Sequence, residues 1–339
     1  MIFYDVTKSA GTGHRSGLMR VNARLGEELG GAVTPVEWGT WDRSLGPGDW
    51  FLTTELFSEA ERPGLGEFLR RHPGRTAAIF FDAIPLKHPA ITWPQSVARH
   101  PGYLKLLAGF ARIWAISAAS RDELLGIWQW MGLAPTPPVE VLTLGADFNR
   151  RPRVARSASP TGTPVLLSIG ILEPRKNQLF LLEVAEELWA EGSQFELHLV
   201  GRTNPRFSGP TLQRIKELGR RRPLHYHAAA SDAEVAGLYA RARASVFPTR
   251  AEGCGLPVLE SLWMGVPCVC SDLPVLLENT SGGGCLPLPL QDRAAWKAGL
   301  KRILTEDGLG RHLEGAAATR PLPTWAEAAQ SLRRGLTGA

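Results

Sequence analysis

Short apolar runs alternate with helical periodicity along the whole chain. Runs rich in Val, Ile, Leu and Phe are typical of buried strands, and apolar residues that recur every three to four positions predict amphipathic helices. Near the amino terminus, Leu18, Val21, Leu25 and Leu29 recur at helical spacing after a glycine-rich turn. Strands that alternate with helices predict βαβ units and parallel sheets.

The first half of the chain is predicted to contain strands separated by helices. The predicted strands are Ile2–Val6, Ala32–Trp38, Trp50–Leu56, Thr76–Phe81, Ile113–Ser117 and Val139–Thr143. After the first helix, further helices are predicted at Gly64–Arg71, Gly102–Arg112 and Ser120–Met131.

A basic, proline-interrupted segment, Arg150–Pro164, has the composition of a linker, and the alternating pattern restarts after it. We therefore expect a first domain over residues 1–155, a second over 156–320, and a terminal helix at 321–339 that can cross back to the first. The second-half strands are predicted at Val165–Ile169, Phe195–Val200, Leu224–Ala228, Ala244–Thr249 and Pro267–Ser271. The helices are predicted at Asn177–Glu191, Leu212–Arg221, from the capping box Ser231-x-x-Glu234 through Arg243, and from Pro257.

This organisation predicts an α/β protein with two doubly wound domains that face each other. Ligands of such folds bind beyond the carboxyl ends of the strands, so we expect the site in a cleft between the domains.

Composition excludes several classes of protein. The 36 glycines and 26 prolines in 339 residues stay below the roughly 25–30% of Gly and Pro that signals low complexity. The chain contains 44% hydrophobic and 21% charged residues, and this composition excludes a collagen, a coiled coil and a disordered tail. The net charge of +5 is mild and dispersed, which favours anionic small molecules or a membrane surface over nucleic acid.

Localisation is predicted to be cytoplasmic, with room for peripheral attachment at the inner membrane face. No apolar run reaches the roughly 18 residues of a membrane span, and the start MIFYDVTK lacks the features of a signal peptide. The cysteines Cys254, Cys268, Cys270 and Cys285 form no CxxC pair, which favours buried thiols in a reducing compartment.

The strongest motif is Glu252-Gly-Cys-Gly-Leu-Pro-Val-Leu-Glu260, after a predicted strand. Its glycines allow a ligand to approach the backbone, and Pro257 starts a helix whose free N–H groups favour an anion. Glu260, one turn into that helix, is placed to accept hydrogen bonds from vicinal hydroxyls such as those of a ribose. The alternative is a simple strand–turn–helix with two solvated glutamates.

A second motif, Glu173-Pro-Arg175-Lys176-Asn177, lies between a predicted strand and a helix. Adjacent Arg and Lys beside a helix N-terminus suit a diphosphate, although a lone basic pair is more often a solvated turn. Elsewhere, His225 and His227 alternate on a predicted strand and share one face, which favours a surface or domain-interface role.

These stretches resemble the glycosyltransferases of family 4, which have the GT-B fold and retain the anomeric configuration. The resemblance extends over nearly the whole chain and is strongest in the second half. Further matching stretches are Ser168-Ile-Gly, Leu199-Val-Gly-Arg202, Ser231-Asp-Ala-Glu with Leu238-Tyr239, Val246-Phe-Pro, Ser271-Asp-Leu-Pro, Ser16-Gly-Leu-Met-Arg20, Phe81-Asp-Ala-Ile-Pro85, Ser117-Ala-Ala-Ser120 and Leu144-Gly-Ala-Asp147.

The resemblance implies a role for each matching residue. Arg175 and Lys176 would grip the donor diphosphate, Glu260 the nucleotide ribose, and Glu252 the donor sugar. Backbone contacts to sugar and phosphate would come from Gly253, Cys254, Gly255 and Leu256, and Gly17 would let the amino-terminal loop approach the phosphates. The amino-terminal domain would receive the acceptor.

One departure concerns the stretch Phe81-Asp-Ala-Ile-Pro, where related chains often carry His at the first position. Asp82 is the remaining polar candidate for catalysis there. The alternative is that Asp82 caps the Ile84-Pro85 turn.

The resemblance implies transfer of a hexose, with mannose favoured, from a nucleotide-diphosphate sugar such as GDP-mannose to a glycan or lipid-linked glycan. No Asp-x-Asp occurs in the chain, so a metal-independent site without a cofactor is expected. Arg175, Lys176 and helix N-termini would stabilise the leaving diphosphate. The alternative is a catalytically silent GT-B subunit that binds nucleotide sugar or a partner enzyme. The basic residues Arg70, Arg71, Lys87 and Arg99 suggest a peripheral membrane surface.

Overall fold

A computed structural model describes residues 1–11, 17–156 and 161–338. The chain divides into two compact units, one made of residues 1–145 together with 323–339, the other of residues 146–322. Each unit is built around one six-stranded parallel sheet.

The sheet of the first unit has the strand order β2-β1-β3-β4-β5-β6, and all its pairs are parallel. Its strands are β1 (Ile2–Asp5), β2 (Val33–Val36), β3 (Trp50–Thr53), β4 (Thr76–Phe80), β5 (Arg112–Ala115) and β6 (Val139–Val141). The helices between them are α1 (Gly17–Leu29), α2 (Leu65–Arg71), α3 (Ile84–Lys87), α4 (Pro94–Leu107) and α5 (Ala118–Trp130).

The sheet of the second unit has the order β12-β11-β10-β7-β8-β9, the doubly wound arrangement of a dinucleotide-binding fold. Its strands are β7 (Val165–Ile169), β8 (Glu196–Val200), β9 (Leu224–His227), β10 (Ala242–Phe247), β11 (Cys268–Ser271) and β12 (Cys285–Leu288). The helices are α6 (Gln178–Ala190), α7 (Gly209–Gly219), α8 (Asp232–Arg241), α9 (Leu256–Trp263), α10 (Pro274–Thr280), α11 (Arg293–Thr305) and α12 (Asp307–Thr319).

The last helix, α13 (Trp325–Thr337), belongs to the first unit, where it packs on α1. A capping box formed by Thr324 and Glu327 starts it. The guanidinium of Arg24 lies 5.9 Å from the centre of the Trp325 ring. A Cβ on Gly145 would lie 2.2 Å from the main-chain nitrogen of Trp325, so only glycine allows the two backbones to approach this closely.

The cores explain why these sequences form these layers. Aromatic rings fill one side of the first sheet, where Trp38, Trp41, Phe51 and Phe68 contact one another. The second core is mostly aliphatic and includes Trp296, which is fully buried. Strands with both faces covered read as continuous apolar runs, which is why the sequence pattern located them.

Two of the differences from the predicted elements have a clear physical reason. The helix predicted at Gly102–Arg112 begins earlier and ends sooner, at Pro94–Leu107, because Pro94 starts it and Arg112 already belongs to β5. The segment predicted as a linker is partly packed against the second unit: Val154 N donates to Trp263 O (2.9 Å), and the Trp263 indole donates to Arg151 O (2.8 Å). The compact units therefore divide at residues 145 and 322, compared with the boundaries predicted at 155 and 320.

All four cysteines are buried, unpaired thiols, as the sequence predicted. No helix among residues 1–11, 17–156 and 161–338 combines the length and apolar character needed to cross a membrane.

Candidate functional site

The charged motifs of the second unit meet where its strand order reverses. Strands β7 and β10 are neighbours at that point, and crevices beside such switch points are the usual ligand sites of doubly wound sheets. Arg175 and Lys176 lie in a short 3₁₀ turn after β7, and Glu252 lies in the loop after β10. The fold thus brings Glu252 into direct contact with Arg175 and Lys176, which lie 77 and 76 residues before it in the sequence.

One carboxylate oxygen holds both cations. Glu252 Oε1 lies 2.5 Å from Lys176 Nζ and 3.0 Å from Arg175 Nη1. The second oxygen, Oε2, has no hydrogen bond or ion pair within the described parts of the chain. The Arg175 guanidinium also pairs with a second carboxylate, since its Nε lies 2.5 Å from Glu173 Oε1. The cluster formed by Glu173, Arg175, Lys176 and Glu252 is called the charge cluster below.

Backbone contacts fix the two loops relative to each other. Arg250 N donates to the carbonyl oxygen of Arg175 at 2.7 Å. The single hydroxyl proton of Thr249 has three acceptors nearby, Glu252 Oε1 at 2.8 Å, Arg175 O at 2.9 Å and Ala251 O at 3.2 Å. Because main-chain hydrogen bonds join the loop after β7 to the loop after β10, the two strands fix where the charge cluster lies.

Burial sets the protonation of this cluster. Lys176 and Glu252 are both buried. Burial lowers the pKa of Lys176, and the neighbouring Glu252 opposes that effect. Burial by itself would raise the pKa of Glu252, but the charges of Lys176 and Arg175 outweigh it, and the pKa is lowered. Glu252 is therefore ionised at neutral pH.

The glycine turn after Glu252 brings backbone to the start of α9. Gly255 caps this helix with φ +80°, and a Cβ there would lie 2.4 Å from Leu276 Cδ2, so the position requires glycine. The preceding carbonyl, of Cys254, accepts a hydrogen bond from Asn279 Nδ2 at 2.6 Å. Leu256 and Pro257 are the first two residues of the helix, one residue earlier than the sequence predicted.

The other residues of the Glu252–Glu260 motif lie in the glycine turn and in α9. Glu260 lies in the second turn of α9 and is buried. Burial raises the pKa of the Cys254 thiol to about 12, so this side chain stays protonated, and only its backbone suits a binding role. Gly253 lies between Glu252 and Cys254 in the same turn.

Two predicted site residues belong to the first unit. Gly17 is the exposed first residue of α1, and the preceding residues 12–16, including Ser16, lie outside the described residues. Asp82 follows β4, and its Oδ1 accepts a hydrogen bond from Ile84 N at 3.0 Å. This is the turn-capping geometry that the sequence analysis offered as the alternative to a catalytic role. Phe81 is buried.

Sequence reasoning missed three residues that organise the charge cluster. Thr249 bonds Glu252, Glu173 pairs with Arg175, and Asn279 holds the glycine turn. The three-residue spacing from Thr249 to Glu252 is a recognisable local hydrogen-bonding pattern. The contact from Asn279 has no such local signal, because 25 residues separate it from Cys254.

In the first unit, sequence reasoning also missed a buried ionic network beside β1 and β3. Arg62 Nε lies 2.7 Å from Asp5 Oδ2, and Arg62 also pairs with Glu55. The Glu55 carboxylate accepts hydrogen bonds from the backbone N–H groups of Lys8 (2.8 Å) and Ser9 (2.9 Å). This network positions the start of the loop that precedes α1.

Comparisons with known proteins agree with this architecture. Residues 163–306 match the family model described as glycosyl transferases group 1. A serotype-specific mannosyltransferase of Escherichia coli, WbdA, is 30% identical over 219 residues, which is 59% of this chain and 26% of that protein. The chain thus spans about a quarter of the length of this relative.

Two solved structures show the same fold over the whole chain. A sucrose-phosphate synthase from Thermosynechococcus elongatus has a TM-score of 0.74 at 18% identity and covers 100% of this chain and 99% of its own. WaaG, a glycosyltransferase involved in lipopolysaccharide biosynthesis, has a TM-score of 0.69 at 16% identity and covers 100% of both chains.

The fold is therefore GT-B, with two Rossmann-like units, as the sequence predicted. Within the second unit, residues 163–306 are similar to glycosyl transferases group 1.

Proposed function

We propose that this protein is a retaining glycosyltransferase of family 4 that transfers a hexose, with mannose favoured, from a nucleotide-diphosphate donor such as GDP-mannose. The acceptor is a glycan or a lipid-linked glycan. In the transfer, the bond between the anomeric carbon and the diphosphate oxygen breaks, and a bond to an acceptor hydroxyl oxygen forms. The departing phosphate oxygen takes the hydroxyl proton.

The observation that carries the proposal is the charge cluster at the β7–β10 switch point. Negative charge grows on the leaving diphosphate as positive charge develops at the anomeric carbon. Arg175 and Lys176 are held at this edge by Glu252 and by main-chain contacts, so their charges are oriented before the donor binds. Preorganised cations of this kind stabilise a leaving group without a metal or other cofactor.

The neighbouring groups fit the rest of a nucleotide sugar. Glu252 Oε1 binds both cations, which leaves Oε2 for a hydroxyl of the donor sugar. The backbone from Gly253 to Leu256 runs into the N-terminus of α9, where N–H groups favour phosphate oxygens. Glu260 is assigned to the ribose hydroxyls. Gly17 is assigned to the amino-terminal loop near the phosphates, and Asp82 to orienting the substrate.

The choice of mannose is supported by the name of the relative, WbdA, which is described as a mannosyltransferase. The likeness lies at 30% identity over part of each chain, so it favours a sugar class rather than a linkage.

A separate part of the proposal is attachment of the protein to a membrane surface. Three of the four basic residues considered for it pair with carboxylates: Lys87 with Glu123 (2.5 Å), Arg99 with Glu61 (3.4 Å) and Arg71 with Glu67 (3.5 Å). Paired charges attract an anionic leaflet less strongly. Exposed Trp93 and Trp130 supply aromatic groups that suit an interface.

Calorimetric titration with GDP tests the donor site. Lys176→Ala removes a charge-assisted contact worth about 1.5–3 kcal/mol, so GDP affinity should fall at least tenfold. Lys216→Ala, which changes an exposed lysine on α7, is the matched control and should bind as the wild type does. Circular dichroism verifies that both variants fold. Equal GDP affinity in both variants would refute the assignment.

Hydrolysis of GDP-mannose distinguishes an active enzyme from the alternative, a catalytically silent subunit. An active enzyme should release GDP slowly from GDP-mannose without acceptor, whereas a silent subunit binds the donor and leaves it intact.

A further inference from the structure

Three histidines and a glutamate lie together on one face of strands β8 and β9, apart from the charge cluster. Glu196 and His198 alternate along β8 and so share a face, and His225 is the register partner of His198 on β9. One ligand atom from each of Glu196, His198 and His225 lies within 4.8 Å of the others. Arg241, at the end of α8, also reaches this face.

We propose that Glu196, His198 and His225 form a binding site for a divalent transition metal of the zinc class, which ties the edge strand β9 to the sheet. This function goes beyond the proposed glycosyl transfer and contributes nothing to that reaction.

The distances fit a tetrahedral ion. Bond lengths of about 2.0–2.2 Å place neighbouring ligand atoms about 3.3–3.6 Å apart. Glu196 Oε2 lies 3.0 Å from His198 Nε2 and 4.0 Å from His225 Nε2, and the three ligand atoms all lie within 4.8 Å of one another. Shifts of about 1.5 Å or less would therefore suffice. A cation would replace the hydrogen bond between Glu196 Oε2 and His198 Nε2.

The second ring nitrogen of His198 is also positioned as metal ligands require. His198 Nδ1 lies 3.0 Å from His227 Nε2, and the two rings stack at an interplanar angle of 11°. Histidine ligands generally hydrogen-bond through their other ring nitrogen, which fixes the orientation of the ring. His198 is buried, so its ring is held in place by its surroundings. His227 therefore acts as the positioning residue.

The donor set defines the metal class. Two imidazoles and one carboxylate suit zinc and its neighbours, whereas magnesium and calcium require mostly oxygen ligands. Three protein ligands leave a fourth position for water. The guanidinium of Arg241 competes for Glu196 Oε2 at 3.3 Å, but its side chain is 60% exposed and can turn to solvent.

The test is calorimetric titration of Zn²⁺ into the full chain, without a histidine tag, after treatment with chelator. The wild type should bind one equivalent, and His225→Ala should bind at least tenfold more weakly. His225 is half-exposed, so its removal should leave the fold intact. His312→Ala, an exposed histidine on α12, is the control and should bind like the wild type. Arg241→Gln removes the competitor and should bind at least as tightly.

Cobalt substitution identifies the ligands. Co²⁺ should give the absorption of nitrogen and oxygen ligands, without thiolate charge-transfer bands, because the buried cysteines take no part. Mg²⁺ at the same concentration should not bind. The proposal is overturned by thiolate bands, by equal Zn²⁺ affinity in the wild type and His225→Ala, by weaker binding in Arg241→Gln, or by no Zn²⁺ binding at all.

Discussion

Replacing Glu252 by Gln removes the one negative charge that both cations of the charge cluster share. In the wild type, Glu252 Oε1 lies 2.5 Å from Lys176 Nζ and 3.0 Å from Arg175 Nη1. The amide is nearly the same size and retains an oxygen near Thr249. The substitution therefore changes charge and leaves packing almost unaltered.

The expected cost follows from burial. The side chains of Lys176 and Glu252 are 9% and 8% exposed, so little solvent screens the pair. Removal of one partner of a buried ion pair costs about 3–5 kcal/mol because the other charge is left buried and uncompensated. Lys176→Met should cost less, about 1–3 kcal/mol, because Glu252 retains Arg175 as a partner.

The cost should depend on pH. Without Glu252, the pKa of Lys176 falls further below its ordinary value of 10.5, since burial and Arg175 both lower it. Between the folded and unfolded pKa values the unfolded state binds more protons, so stability rises with pH across that window. The deficit of Glu252→Gln relative to the wild type should shrink as pH rises from neutral towards 10.

Urea denaturation followed by tryptophan fluorescence measures these free energies of unfolding, since the chain has 11 tryptophans. The double variant Lys176→Met/Glu252→Gln should be more stable than Glu252→Gln alone, because no buried lysine charge remains. The same double variant should not recover GDP binding. If the single and double substitutions were simply additive, the pairing of Lys176 with Glu252 would carry no energy and the reasoning would be refuted.

Three further outcomes are expected. Glu260→Gln should raise the KM for the donor with little change in kcat, because a ribose contact is felt equally in the ground and transition states, whereas Glu252→Gln should mainly lower kcat; identical kinetic changes would contradict this division. Gly255→Ala should destabilise the fold by about 1–3 kcal/mol, because the left-handed backbone conformation and the nearby Leu276 both oppose a side chain there. The control Gly315→Ala, on the exposed face of α12, should be neutral or stabilising. Thermal unfolding compares the stability of the two variants. Binding to anionic liposomes should occur at low salt and disappear at 1 M salt, where the Debye length is about 3 Å; co-sedimentation that is absent at low salt would favour an acceptor in solution.

Much of the fold could be predicted because strands buried on both faces are short apolar runs with clear turns between them. Strand β7 and its successors follow this pattern, and the capping box at Ser231 marks the start of α8 directly. Composition does not show how the segment predicted as a linker, Arg150–Pro164, packs against the second unit. Residues 151–156 read as a linker, yet their backbone bonds Trp263, a contact set by tertiary packing.

For the candidate site, sequence reasoning found the charged residues and missed how they pair. It placed Arg175 and Lys176 beside a helix N-terminus and Glu252 in a separate turn. It did not foresee that one carboxylate oxygen binds both cations, because that contact depends on β7 and β10 being adjacent. The structure adds that Glu252 Oε1 contacts both cations, whereas Oε2 has no hydrogen bond or ion pair within the described residues.

The reaction itself is tested most directly by incubating the protein with GDP-mannose and following GDP release together with the anomeric proton signals of the liberated mannose by NMR. The account predicts slow GDP release, with the α-anomer of mannose formed first, in the wild type and in the Lys216→Ala control. Release should be lost in Lys176→Ala. If the wild type binds GDP-mannose and releases no GDP, or if Lys176→Ala releases it at the wild-type rate, the assignment of the charge cluster to glycosyl transfer is contradicted.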